Sequence, residues 1–310
     1  MVSLTISTKG KPKVSVDFPD RHPEQVTVKQ LHQAVHAKFP VLVPNRQRLT
    51  ISKGEGKPTP LTDESKSLAS YGVGDKAELR LKDLGKQVPY RYLYLWEYAG
   101  PIFINPLFLK LSHHIWGAYT PSALQIAIRN IIVLHFIKRW LESAFVHSFS
   151  RSTLPLAYVY RNSAYYWGVV GVLCGLTLYR PAYSAEALKG SILNNPAWVG
   201  FWSLFILCAE LLNLNAHVHL ASLRQPAGQP RKYPTGLGFG TVVCANYWFE
   251  TLGVFAMSIM TGFDIGTVVY SVIATMFMHR WAAGKYARYK REFDPKVFPG
   301  RRWKWFPPFS

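Results

Sequence analysis

The rhythm of hydrophobic positions changes near residue 84. Before it, Val2–Ser7 and Val14–Phe18 alternate apolar and polar side chains around Lys9-Gly10-Lys11-Pro12, which predicts a β-hairpin. Val28, Leu31, Val35 and Phe39 recur at helical spacing and Pro40 stops the pattern, so a helix is predicted over Val28–Phe39. Arg48–Ile51 and Ala77–Leu81 predict two more strands. Beyond Leu84-Gly85-Lys86-Gln87-Val88-Pro89 the pattern becomes long uncharged runs. Leu111–Ile128, Asn162–Tyr179, Gly190–Ala209 and Tyr233–Phe249 hold 18, 18, 20 and 17 residues without Asp, Glu, Lys or Arg. A bilayer core needs about 20 largely apolar residues per helix. Thr251–Phe263 and Ile265–His279, split only by Asp264, predict two helices joined by a tight turn.

These runs predict helices over Tyr90–Leu109, Ala123–Phe145, Ser163–Tyr179, Trp198–Leu220, Thr241–Met260 and Ile265–Ala283. The expected fold is a multi-pass α-helical membrane bundle (84–310) behind an N-terminal α/β domain (1–83). Six spans are expected, or seven if Leu111–Tyr119 also enters the membrane. Buried helices of a large soluble protein would fit single runs, but not several in succession with aromatic edges. Met1–Asp20 is alternating and polar, so no cleavable signal peptide is expected and the first hydrophobic helix would direct targeting.

Charge sharpens this picture. The net charge is +19, but residues 1–83 hold 14 basic and 9 acidic residues, against 22 and 8 in 84–310. Arg280 to Lys304 alone has nine basic and two acidic residues beside a hydrophobic segment. Such juxtamembrane charge marks the cytosolic face and touches anionic lipid. With an even number of spans, both termini would be cytosolic, and nucleic acid is not an expected partner. Cys174, Cys208 and Cys244 lie in apolar segments without disulfide or zinc spacing. His217 and His219, two residues apart, do not share a helix face, so no metal site is expected.

Polar residues inside the spans carry the chemistry. They are Glu97; Lys138, Arg139 and Glu142; Glu210, Asn213, Asn215, His217 and His219; and Asn246, Tyr247 and Glu250. A charge at mid-membrane costs at least ~2.5–3.5 kcal/mol on insertion scales and usually faces a cavity. Four segments bearing such residues predict a polar chamber, although snorkelling or structural pairing explains Glu142, Glu210 and His219 equally well.

Two resemblances follow from motifs in fixed order. Arg46-Gln47-Arg48-Leu49 and Ser67-Leu68-Ala69-Ser70-Tyr71-Gly72-Val73, with the strand and helix order, resemble a ubiquitin-like fold. Glu97-Tyr98-Ala99-Gly100-Pro101, His135 to Glu142, Phe145-Val146-His147, Asn162 to Gly168, Leu223 to Gly228, Cys244 to Glu250 and Gly284 to Phe293 resemble the very-long-chain trans-2-enoyl-CoA reductases of the steroid 5-alpha-reductase superfamily. That family also carries an N-terminal ubiquitin-like domain.

The resemblance implies an endoplasmic-reticulum enzyme that reduces the 2,3 double bond of very-long-chain trans-2-enoyl-CoA with NADPH, the last step of the fatty-acid elongation cycle. Other elongation enzymes are implied partners. Tyr247 matches the proton donor; a phenol, with an ordinary pKa of ~10, carries its proton at neutral pH. Lys138 and Arg139 match residues implicated in activity, suited to charge on a thioester oxygen or on phosphates. Glu97 matches a functional acidic position. Asn213, Arg224, Asn246, Glu250 and Tyr289 match the cofactor site, and Lys232 aligns loosely with it. The guanidinium fork of Arg224 suits a phosphate. No G-x-G-x-x-G follows a strand, so a Rossmann domain is not expected. Gly236-Leu237-Gly238-Phe239-Gly240 is either a backbone approach to the dinucleotide or a flexible loop. Tyr286 and Ala287 stand where family members often have His-Arg. Phe298 to Phe309 keeps the family's basic, Pro-Phe ending. A steroid or polyprenol enone reductase and a non-catalytic membrane adaptor are the alternatives.

Overall fold

The computed structural model describes residues 1–10, 12–52, 58–149, 152–225, 229–298 and 302–309. Lys11 of the predicted hairpin turn, Pro226-Ala227-Gly228 of the loop motif and Pro299-Gly300-Arg301 of the C-terminal motif lie outside the described residues. The chain divides into two compact units, Met1–Pro89 with Arg151–Tyr158, and Tyr90–Ser150 with Val159–Ser310.

In the first unit, β1 (Val2–Thr8), β2 (Val14–Phe18), β3 (Gln47–Ile51), β4 (Thr59–Pro60) and β5 (Glu78–Asp83) form one sheet in the order β2-β1-β5-β3-β4. The central pair β1 and β5 is parallel; the other pairs are antiparallel. Alternation sends Val2, Leu4, Ile6, Leu49, Ile51, Leu79 and Leu81 to the buried face, where α1 (Val28–Lys38) supplies Val28, Leu31 and Val35. A capping box between Thr27 and Gln30 starts that helix. The order resembles the ubiquitin-like one expected. A second, two-stranded sheet pairs β6 (Gln87–Pro89) with β7 (Thr153–Pro155), in register Val88 to Leu154. Three-residue strands ending in proline leave no periodicity to read.

The second unit is helical. Its elements are α2 (Tyr90–Trp116), α3 (Ala123–Leu141), α4 (Ala157–Ser163), α5 (Cys174–Leu178), α6 (Pro196–Ser222), α7 (Ala245–Met260) and α8 (Ile265–Glu292). The π-helical stretch Ala164–Leu173 joins α4 to α5, so one helical rod covers the predicted Ser163–Tyr179 segment. Residues 111–116 complete α2, and no separate helix forms over Leu111–Tyr119. Asp264 caps α8: its Oδ1 accepts from Gly266 N at 2.9 Å and from Thr177 Oγ1 at 2.6 Å, fixing the tight turn. Helices α2 and the central rod approach closely because Gly100 has no Cβ to meet the Trp167 indole lying on it.

The polarity of this unit is inverted. Phe103, Leu134, Phe201, Leu204 and Met276 are exposed, whereas Glu97, Gln125, His135, Glu142 and Asn213 are buried. An apolar exterior around a polar interior suits a hydrocarbon surrounding. Among the described residues, α6 alone is long and apolar enough to cross a membrane by length and composition.

Leu79, fully buried beneath the central strands, ties the sheet to α1. Leu79→Ala is expected to cost about 2–5 kcal/mol. Hydrogen exchange of the full chain should accelerate in residues 2–83 and stay unchanged in α6 and α7.

Candidate active site

His135, Lys138, Arg139 and Glu142 follow one another at i, i+3, i+4 and i+7, so α3 and its continuation put all four on one face. The continuation is a π turn over Glu142–Val146, in which His147 N donates to Glu142 O at 2.7 Å. The wider turn leaves Glu142 and Ser143 facing inward. On α6, Glu210, Asn213 and His217 share a face; on α7, Asn246 and Glu250 do.

These three faces meet. Lys138 Nζ lies 2.6 Å from Glu210 Oε2, donates to Asn213 Oδ1 at 2.6 Å and stands 3.6 Å from Glu142 Oε1. Asn213 Nδ2 donates to Glu250 Oε2 at 2.9 Å and to the Asn246 carbonyl at 2.8 Å. Arg139 Nη1 donates to Glu142 Oε2 at 2.6 Å, and Nη2 donates to Tyr98 Oη at 3.3 Å. His135, 3% exposed, sits between two carboxylates: Nδ1 is 2.8 Å from Glu210 Oε1, and Nε2 is 3.5 Å from Glu250 Oε1. Buried charges of this kind persist only when paired and hydrogen-bonded, as they are here. Glu142 Oε1 and Glu210 Oε2 face Lys138 Nζ as ion pairs only, without a hydrogen bond. The Asn246 Oδ1 is buried with no hydrogen-bond partner among the described residues.

Glu142, His147 and His217 bring potential metal-ligand atoms within 4.8 Å of one another. Arg139 Nη1 nevertheless lies 2.6 Å from Glu142 Oε2 and 3.0 Å from His217 Nδ1, so a guanidinium already supplies the positive charge there. Burial, and then the Arg139 charge, hold the His147 imidazole down at about 3, leaving it neutral at pH 7.

The remaining predicted residues lie around this cluster. Glu97, 1% exposed, accepts from Asn162 Nδ2 at 2.7 Å, and its neighbour Tyr98 reaches Arg139. The Tyr247 hydroxyl makes no hydrogen bond among the described residues, while its backbone N donates to Cys244 O at 3.0 Å. Its ring lies beneath Lys285 Nζ at 4.9 Å, meets the Trp281 ring at 6.2 Å between centroids, and packs against a hydrophobic cluster that includes Cys244, Ala282, Tyr289 and Trp305. Tyr289 is therefore in the cluster that Tyr247 packs against, apart from the hydrogen bonds of Asn213. Arg224 donates to Ser148 O at 2.5 Å, and Lys232 is exposed. Gly238, at φ +80, packs where a Cβ would meet Phe249 and Ala245, so the glycine loop turns tightly against the start of α7. His135 and Tyr98, which no site expectation included, complete the cluster; the helical spacing of His135 with Lys138 and Arg139 was the available signal.

The geometry can be set beside known proteins. The family model for 3-oxo-5-alpha-steroid 4-dehydrogenase matches residues 152–309, which include Asn213, Asn246, Tyr247 and Glu250. The very-long-chain enoyl-CoA reductase of Dictyostelium discoideum is 33% identical over 236 residues, covering 76% of this chain and 75% of its own. A Schizosaccharomyces pombe protein described as an enoyl reductase is 31% identical over 299 residues, 94% of this chain and 95% of its own. The chain belongs to this family. A Caenorhabditis elegans protein described as a very-long-chain enoyl-CoA reductase is likewise 31% identical, over 86% of both chains. Lys138, Arg139 and Glu97 lie before the family-model match but within the helical unit that it shares.

Glu142 is the carboxylate that holds both Arg139 and His217. Glu142→Ala strands those partners, and the expected loss is about 3–5 kcal/mol. Thermal unfolding in detergent should register it as a clear fall in midpoint; a change within error would contradict the pairing.

Proposed function

We propose that this chain reduces the 2,3 double bond of very-long-chain trans-2-enoyl-CoA with NADPH, completing each cycle of fatty-acid elongation. It is an oxidoreductase acting on a carbon–carbon double bond. The observation that carries the reading is the buried meeting of Lys138 with Asn213, Asn246 and Glu250, joined to Arg139 through Glu142 and one helical position from Tyr247.

The residues present fit a reduced nicotinamide dinucleotide. Asn246 Oδ1, a buried acceptor without a donor, suits a carboxamide N–H. Exposed Arg224 and Lys232 suit phosphates, and Tyr289 offers an aromatic surface beside Tyr247. When bound, NADPH supplies the hydride that goes to Cβ. The protein's part is to bind, orient and protonate. Lys138 and Arg139, fixed by Glu210 and Glu142, present positive charge where the thioester oxygen becomes negative. Tyr247 gives its phenolic proton to Cα, and Lys285 above its ring steadies the phenolate left behind. Glu97, held by Asn162, completes the polar wall at α2.

The same reading places the helical unit in the endoplasmic-reticulum membrane with six spans and both termini cytosolic. The inverted polarity of that unit and the basic stretch Arg280 to Lys304 support it. Other elongation enzymes are the expected neighbours.

Purified protein should oxidise NADPH on addition of a very-long-chain trans-2-enoyl-CoA and not on addition of a steroid enone. Tyr247→Phe is expected to lower turnover by at least about 100-fold while NADPH still binds. Turnover undiminished in Tyr247→Phe would remove the proton-donor assignment.

A further inference from the structure

The helical unit carries a groove of about 550 Å³ away from the ion cluster. Its walls include Phe255 of α7, Thr275, Met276 and His279 of α8, and Trp305 and Phe306 of the C-terminal segment. The C-terminal wall is fixed. Val243 N donates to Trp303 O at 2.9 Å, Cys244 N donates to Lys304 O at 3.0 Å, and Trp305 Nε1 donates to His279 Nδ1 at 3.2 Å. At the other side the groove is open, with Met276 66% exposed.

Two facts connect this groove to the proposed proton donor. Tyr247 and Phe306 pack against one hydrophobic cluster that contains Trp305, Tyr289, Cys244 and Ala282, and Phe306 also meets the Phe255 ring at 6.0 Å between centroids. Tyr247 and Phe255 stand eight residues apart on α7, a little over two turns and about 12 Å of rise, with about 80° between them around the axis. One hydrophobic cluster thus reaches from Tyr247 to the groove. The six walls named contain no Asp, Glu, Lys or Arg. A peptide backbone would bury its amides there with few partners, whereas a hydrocarbon needs none.

We propose that this groove holds the alkyl chain of the thioester substrate and sets the preferred chain length. The proposal rests on the enoyl-CoA reductase reading and on Tyr247 as proton donor. A chain protonated at Cα beside Tyr247 continues along α7 past Phe306 and ends between Phe255 and Met276. Each methylene that enters gains contact with the walls, so long chains are bound better than short ones. Chains too short to pass Phe306 gain nothing.

Two measurements test it. In the wild-type protein, a very-long-chain acyl-CoA bearing a diazirine at its terminal carbon should label peptides containing Met276 to His279 or Trp305 to Phe309. Labelling confined to α2 and α3, or labelling by an ordinary phospholipid probe that excess acyl-CoA does not displace, overturns the proposal; the second outcome makes the groove a lipid contact. In kinetics, Met276→Trp should lower kcat/KM for a very-long-chain enoyl-CoA about tenfold. Short-chain turnover should be unchanged, which also shows that the variant is folded. An equal fall at both lengths, or none, overturns the ruler role. If the wild type turns over no enoyl-CoA, the reductase reading fails, and labelling alone decides whether an acyl chain lies here.

Discussion

The helical unit is organised around one constraint: three carboxylates and the two basic side chains of Lys138 and Arg139 must be kept together inside an apolar bundle. Glu142, Glu210 and Glu250 cannot each be buried alone, and neither can Lys138 or Arg139. Lys138 lies against Glu142 and Glu210, and Arg139 pairs with Glu142, while His135 and Asn213 connect Glu250 to the rest. This requirement fixes the rotation of α3, α6 and α7 about their axes. Turning α3 or α6 by one residue would aim its charges at the exterior, where Leu134, Leu204 and Leu211 now stand exposed. The arrangement leaves positively charged groups and amides in place before any substrate arrives, the preorganisation that stabilises developing charge.

Function and anchoring then divide between two neighbouring surfaces of α7. Asn246 and Glu250 point to the ion cluster, and Tyr247 points to α8 and an aromatic layer closed by the C-terminal segment. That segment returns to the start of α7 through hydrogen bonds from Val243 and Cys244, so the tail beyond α8 packs into the layer that Tyr247 lies against. Family membership gives this geometry its context: the relatives that cover most of the chain are described as enoyl reductases.

Much of this was legible in the sequence, for identifiable reasons. Strands β1 and β2 follow from period-two alternation, and α1 from Val28, Leu31, Val35 and Phe39 with Pro40 after them. The helices of the second unit fall close to the predicted segments because uncharged runs are long and their ends are marked, as at Asp264. The polar cluster was visible as residue types in hydrophobic surroundings. Its completion by His135 needed the i, i+3 and i+4 relation to Lys138 and Arg139. Other features left no local signal. The pairing of Gln87–Pro89 with Thr153–Pro155 joins short strands more than sixty residues apart. The π turn at Glu142–Val146 has no composition of its own. The separation of Tyr247 from its neighbour Asn246 depends on which helix packs on each side of α7, and sequence spacing alone does not give that.

The central claim is that the cluster built by Lys138, Arg139, Asn213, Asn246 and Glu250 forms the wall of the reaction chamber. The most direct measurement is an electron cryo-microscopy structure of the full-length protein with NADPH and a non-reducible very-long-chain acyl-CoA. The expected density places the nicotinamide carboxamide at Asn246 and the thioester between Tyr247 and the Lys138 and Arg139 side chains. A nicotinamide bound elsewhere, with those side chains still closed on one another, would contradict the account.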